Sequence, residues 1–320
     1  MDQILNTYKF DIDSIDLSNK RLIKLPDLTR FIKLKTLNCS NNKLLKLSNL
    51  PGSLTELYCS NNQLTELSNL PELLTILDCS SNQLTELHNL PESLTMLECG
   101  INQLTKLLNL PESLTILECY SNQLTELSNL PNSLIKLSCG GNQLTTLNNL
   151  PNSIKVLYCG CNQLTTLSNL PNSLADLDCF NNQLTTLSNL PSTLTFLACT
   201  DNQLTELGNL PNLLTELYCG NNQLTKLNNL PNTLKYLACY DNQLTELSNL
   251  PNTLTQLYSD GNKLLFTELL ELKKLDNFIK IFKLNKLLKV IFLYSIKKRC
   301  LKYKEELIIK TCHPSRLFLI

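Results

Sequence analysis

Eleven cysteines recur twenty residues apart: Cys39, Cys59, Cys79, Cys99, Cys119, Cys139, Cys159, Cys179, Cys199, Cys219 and Cys239. Thiols at fixed spacing can hold a metal, form disulfides or act as nucleophiles. Zinc requires two to four ligands converging on one point at about 2.3 Å. An in-register stack spreads its sulfurs along a line instead, one per strand spacing, with few His or carboxylates beside them. Disulfides between neighbouring coils are metrically conceivable at a Cα separation of about 4.8 Å. Parallel Cβ vectors fit the required dihedral poorly, however. A nucleophilic thiolate needs exposure and an adjacent base, and no His recurs with the repeat. The remaining role is packing, with Cys as a small buried hydrophobe. No metal and no cofactor are expected.

The elements that position these thiols follow from the unit around each of them. One unit runs Pro51, Leu54, Thr55, Leu57, Cys59, Asn62, Leu64, Thr65, Leu67, Asn69, Leu70, and the next begins at Pro71. Twelve units keep this register over residues 34–264, their first apolar position running from Leu34 to Leu254, with Ile154 in one of them. An earlier unit, residues 12–22, is looser, with Leu17 in the cysteine slot and Lys20 in the asparagine slot. The step from Leu17 to Cys39 is 22 residues, as suits an irregular terminal coil. Residues 1–33 therefore read as an N-terminal cap with an irregular first repeat.

The spacing Leu54, Leu57, Cys59, Asn62, Leu64 resembles the leucine-rich repeat family, L-x-x-L-x-C-x-x-N-x-L, over about four-fifths of the chain. The twenty-residue length and the Asn-Leu-Pro element are similar to the short bacterial-type class, such as effectors injected into host cells. The Asn-rich, Cys-bearing style also resembles repeat proteins of giant DNA viruses of amoebae. The resemblance implies a solenoid that binds other macromolecules through its concave face.

The residues lead independently to a mainly β solenoid. In the stretch LTELYC, Leu57 and Cys59 fall on one side of a short strand, and Glu56, Tyr58 and Ser60 on the other. One strand per coil, stacked in parallel, makes a sheet with an inward ladder of identical residues. The outer arc has a Pro in its middle and is too short for a helix, so extended or polyproline-like backbone is expected there. Each coil turns a corner before its Gln-Leu pair and exposes N–H and C=O groups to the interior. A buried Asn bonds both kinds. This predicts a structural ladder of Asn62, Asn82, Asn102, Asn122 and Asn142, continuing to Asn262, beside the cysteine ladder.

Function is expected where coils differ on the outward side of the strands. Two clusters stand out. Asp78, Glu98 and Glu118 fall on consecutive strands beside Ile76, Met96 and Ile116, an acidic row next to an apolar one. That pairing suits a protein partner with basic and apolar groups. The second cluster is aromatic: Phe180, Phe196, Tyr218, Tyr236, Tyr240 and Tyr258. Tyr58 is a further partner-binding candidate. Each row also has a plain reading, as drift on a solvated face or as stacking within a sheet.

From Lys263 onward the grammar changes to Leu, Ile, Phe and Lys. This segment holds 14 basic and 5 acidic residues, a net +9, against −9 for the rest of the chain. Residues 265–320 are expected to form an α-helical C-terminal cap that covers the open end of the solenoid. The alternative is a basic segment touching anionic membrane or nucleic acid. Some bacterial repeat effectors carry a ubiquitin-ligase domain with a catalytic Cys after the repeats, but a 56-residue tail is too small for one, and neither Cys300 nor Cys312 stands in that family's Cys-x-Asp pattern. A thiol enzyme using Cys312 is the weakest alternative, and no small-molecule substrate is expected. The N-terminus has no basic-then-apolar signal pattern, no apolar run approaches about 20 residues, and the cysteines suit a reducing compartment. The expectation is a non-enzymatic cytoplasmic protein, in the host cytoplasm if the viral likeness holds.

Overall fold

The computed structural model describes residues 10–264 and the backbone of Lys280–Ile281. The chain divides into two compact units, Met1–Asn142 and Gln143–Ile320.

Unit 1 is built on seven three-residue strands: β1 (Ser14–Asp16), β2 (Thr36–Asn38), β3 (Glu56–Tyr58), β4 (Ile76–Asp78), β5 (Met96–Glu98), β6 (Ile116–Glu118) and β7 (Lys136–Ser138). Each pairs in parallel with the next in chain order. The register aligns residues one repeat apart, such as Leu57 with Leu77 and Asp78 with Glu98. The first pair is shifted, Ile15 opposite Leu37, which accommodates the longer first coil.

Unit 2 continues the same construction with β8 (Val156–Tyr158), β9 (Asp176–Asp178), β10 (Phe196–Ala198), β11 (Glu216–Tyr218), β12 (Tyr236–Ala238) and β13 (Gln256–Tyr258). These too are parallel and in register.

Pleating explains the core. The central Leu of each strand and the following Cys face inward, and Leu54, Leu57, Cys59 and Leu64 are all fully buried, as are their equivalents in the coils from Leu34 to Leu244, whereas in the last coil Leu264 is half-buried. Burying a Leu side chain contributes about 1.5–3 kcal/mol. Leu17, in the cysteine slot of the first coil, is likewise fully buried.

The outer arc is extended and turned, as its Pro requires, and no helix occurs among the described residues. The Pro51 carbonyl accepts the Leu54 N–H at 3.2 Å, closing a four-residue turn. Ser93 Oγ donates to Leu74 O at 2.8 Å and to Glu72 O at 2.7 Å, tying one coil to the one before. Ser113, Ser133, Ser173, Thr193, Thr233 and Thr253 repeat this link. Leu73 and Leu213 replace the hydroxyl in that slot and are exposed.

The expected α-helical cap over 265–320 lies outside the described residues, except at one point. There Lys280–Ile281 form a short strand, β14, parallel to β13, with Lys280 opposite Gln256 and Ile281 opposite Leu257. The edge of β13 carries a row of N–H and C=O groups that a returning strand can pair.

Candidate interaction surface

The asparagine ladder holds the corners beside the strand face. Asn62 Nδ2 donates to the carbonyls of Cys39 and Cys59, both at 3.0 Å, and its Oδ1 accepts the Leu44 N–H at 3.0 Å. Asn82, Asn102 and Asn122 repeat the set, and Asn142 donates to Cys119 O and Cys139 O while accepting from Leu124 N–H. Each side chain thus satisfies backbone groups of two coils.

The cysteine ladder is inert in character. Its eleven thiols are buried and form no disulfide. Burial pushes the Cys139 thiol up to about 12, and Cys239 likewise. Cys59 and Cys99 are also raised, first by burial and then by neighbouring ladder thiols. Such thiols stay protonated at neutral pH and are poor nucleophiles. Among the described residues no group of three or more His, Cys, Asp or Glu could hold a metal ion.

The strand face of unit 1 carries the first cluster. Side-by-side pairing places Ile76, Met96 and Ile116 in one row and Asp78, Glu98 and Glu118 in the next. The sequence reading treats all of these as exposed, and the structure corrects this for the acids. Asp78, Glu98 and Glu118 are buried, whereas Tyr58, Ile76, Met96 and Ile116 are half-buried. In-register rows about 4.8 Å apart shield one another, and the middle of the face loses solvent first. Asp78 and Glu118 are held by named partners. Asp78 Oδ1 accepts the Ser80 N–H at 3.0 Å and the Ser80 hydroxyl at 2.6 Å. Lys136 Nζ forms an ion pair with Glu118. Near the N-terminal end, the Tyr58 hydroxyl donates to Glu56 at 3.3 Å.

The strand face of unit 2 carries the aromatic cluster. Phe196, Tyr218, Tyr236 and Tyr258 form a continuous tilted row, with centroid separations of 5.4, 4.7 and 5.4 Å. Ala198 and Ala238 fill the alternate places and are fully buried. Phe196 and Tyr218 are buried rather than exposed, because each ring covers its neighbour, and Tyr240 is buried as well, while Tyr236, Tyr258 and Phe180 are half-buried. Burial raises the Tyr236 hydroxyl far above the usual tyrosine range, reinforced by its bond with Tyr258.

Tyr240 and Phe180 do not join that row. With Tyr120 they occupy the slot just after the cysteine, and each lies over a glycine of the preceding coil. A Cβ at Gly100 would meet the Tyr120 ring at 2.6 Å, one at Gly220 would meet Tyr240 at 2.5 Å, and Gly160 stands in the same relation to Phe180. The reading from sequence missed this pairing. Its signal was present, since Gly immediately precedes the aromatic in the same slot all three times.

The next slot was also open to misreading. It is held by Asn41, Asn61, Ser81, Ile101, Ser121 and Gly141 in unit 1, and by Cys161, Asn181, Asp201, Asn221, Asp241 and Gly261 in unit 2. All have positive φ, between 48° and 71°. Its enrichment in Asn, Asp and Gly reflects the left-handed backbone.

No protein-family model matches the sequence, and no curated protein does. Solved structures do. YopM from Yersinia enterocolitica WA-314 is 32% identical with a TM-score of 0.70, over 89% of this chain and 64% of that one. The chain thus spans less than two thirds of that protein. YopM from Yersinia pestis, described as a leucine-rich effector protein, is 33% identical with a TM-score of 0.60, over 79% of this chain and 84% of that one. The functional domain of InlJ from Listeria monocytogenes, which includes a cysteine ladder, is 29% identical with a TM-score of 0.69, over 79% of this chain and 64% of that one. With its twenty-residue coils, parallel strand ladder and asparagine corners, this chain belongs to the leucine-rich repeat family, in its bacterial-type form.

Proposed function

We propose that the chain is a non-enzymatic binding protein whose strand faces take a protein partner. One observation carries the reading. The inward rows hardly change from coil to coil, whereas the first and third residues of each strand change at nearly every step and lie side by side on the strand face of each unit. A surface that varies on a fixed scaffold is where recognition differs from mere stability. Tyr58, Ile76, Met96 and Ile116 in unit 1, with Tyr236 and Tyr258 in unit 2, supply the accessible part. The acids behind them set the charge preference. The raised thiol pKa values and the buried ladder weigh against thiol chemistry. We place the protein in a cytoplasm, on the buried ladder thiols that form no disulfide. The pairing of β14 with β13 favours the cap role for the basic tail over a membrane or nucleic-acid role.

The test is affinity capture with a variant combining Ile76→Ala, Met96→Ala and Ile116→Ala with the isosteric Asp78→Asn, Glu98→Gln and Glu118→Gln. Circular dichroism confirms that the variant folds. The expected result is loss of specific partners, and an unchanged partner list would overturn the assignment of unit 1's face.

A further inference from the structure

The strand face of unit 2 has a chemistry of its own. Its strands β8–β13 carry Asp176, Asp178 and Glu216, and none of their residues is Lys or Arg. The rings of Phe196, Tyr218, Tyr236 and Tyr258 step from one strand to the next, alternating between the first and third positions, and Ala198 and Ala238 leave room for them. Phe196 and Tyr218, at one end of the row, are buried and hold the next ring by contact. Tyr236 and Tyr258, at the other end, and Glu216 beside them remain half-exposed. The Tyr218 hydroxyl donates to Glu216 Oε2 at 2.9 Å and pins the carboxylate against the edge of the row.

We propose that this face recognises arginine in a peptide segment of the partner, with the guanidinium laid on the Tyr236 and Tyr258 rings and its charge turned toward Glu216. The inference rests on the protein-binding reading and gives that reading a chemistry. A guanidinium is planar and always charged, it stacks on aromatic faces, and it presents a fork of donors to a carboxylate. Ring faces attract it through their quadrupole, more strongly where water is partly excluded. Rings locked by mutual contact lose little freedom on binding, so the platform is organised before the ligand arrives. A lysine ammonium satisfies the charge but not the plane, so arginine is preferred over lysine.

A random linear-peptide display library panned against the full chain tests this. Selected peptides are then labelled and titrated by fluorescence anisotropy against the wild type and against Tyr236→Leu, Tyr258→Leu and Glu216→Gln, each checked for native circular dichroism. Arginine should be enriched. Replacing the key arginine by citrulline should weaken binding at least tenfold, replacing it by lysine several-fold, and Tyr236→Leu should weaken it about as much as citrulline does. If the peptides lose binding in Tyr236→Leu yet contain no arginine, or tolerate citrulline, the arginine inference fails and the protein-binding reading stands. If no selected peptide responds to any strand-face substitution in either unit, that reading fails as well. Carbodiimide coupling of Glu216 to a lysine of residues 282–320, or to a second copy of the chain, would overturn the inference in favour of that occupant.

Discussion

The ring of Tyr240 occupies the space where Gly220 would carry a side chain, with a Cβ there falling 2.5 Å from ring carbon Cζ. Two consecutive coils are thus shaped as a knob and a notch. Gly220→Ala should destabilise the chain by about 1–3 kcal/mol, as overpacking does. The same substitution should cost less in a Tyr240→Val background, because the knob is gone. A double-mutant cycle from urea unfolding checks this, and equal costs in both backgrounds would show that the ring moves aside freely.

Asn182 is expected to be among the least replaceable residues of unit 2. Its side chain donates to Cys159 O and Cys179 O, each at 3.1 Å, and accepts the Leu164 N–H at 3.0 Å. Asn182→Ala leaves these buried groups unmet, at about 1–3 kcal/mol for each unsatisfied group. Asn182→Asp keeps the acceptor, loses both donors and buries a charge, so at neutral pH it should be worse than Ala. Equal midpoints for Asp, Ala and wild type would refute the bridging role.

The cysteine ladder should tolerate volume and reject charge. Cys139→Val is expected to cost less than about 1.5 kcal/mol, whereas Cys139→Asp should collapse the fold through an unpaired buried charge. Alkaline stability supplies a second reading. The folded thiols of Cys139 and Cys239 are raised from 9.0 to about 12. Above pH 9 the unfolded chain gives up protons that the folded chain keeps. Their contribution is therefore whole below pH 9 and is lost as pH climbs from 9 to about 12. The Cys139→Val/Cys239→Val variant should show a shallower decline across that window in pH-dependent melts.

Ile101 is a β-branched residue at a φ of 60°, a place where most other coils use Asn, Ser, Asp or Gly. Side chains of its kind are strained there by about 1–2 kcal/mol. Ile101→Asn should therefore raise the melting temperature. A lower one would mean that the isoleucine gains more from packing than its backbone costs.

Much of the scaffold was legible because the repeat states each structural requirement many times over. Leu57, Cys59 and Asn62 declare their side of the coil by spacing alone, and the Pro of the outer arc rules out a helix. The strand face was less legible. Its residues could be assigned to a side by alternation, but exposure depends on neighbours twenty residues away. Asp78 and Tyr218 were placed on the right surface and given too much solvent. The two slots after the cysteine vary for reasons that single residues conceal. Tyr240 makes sense only beside Gly220, and Ser81 only through its backbone angle.

The glycine–aromatic pairs also bear on how such a chain finds its own order. Near-identical coils invite frameshifted assembly, in which a strand docks one repeat too early or too late while every Leu, Cys and Asn still finds an equivalent partner. A shift of one coil would set Tyr240 against Thr200 instead of Gly220, and Tyr120 against Ser80 instead of Gly100. The misfit would be steric and immediate. The Tyr120 and Tyr240 pairs act as address marks in an otherwise repetitive text, telling each marked coil which neighbour is its own, whereas Phe180 would meet Gly140 after the same shift and marks nothing.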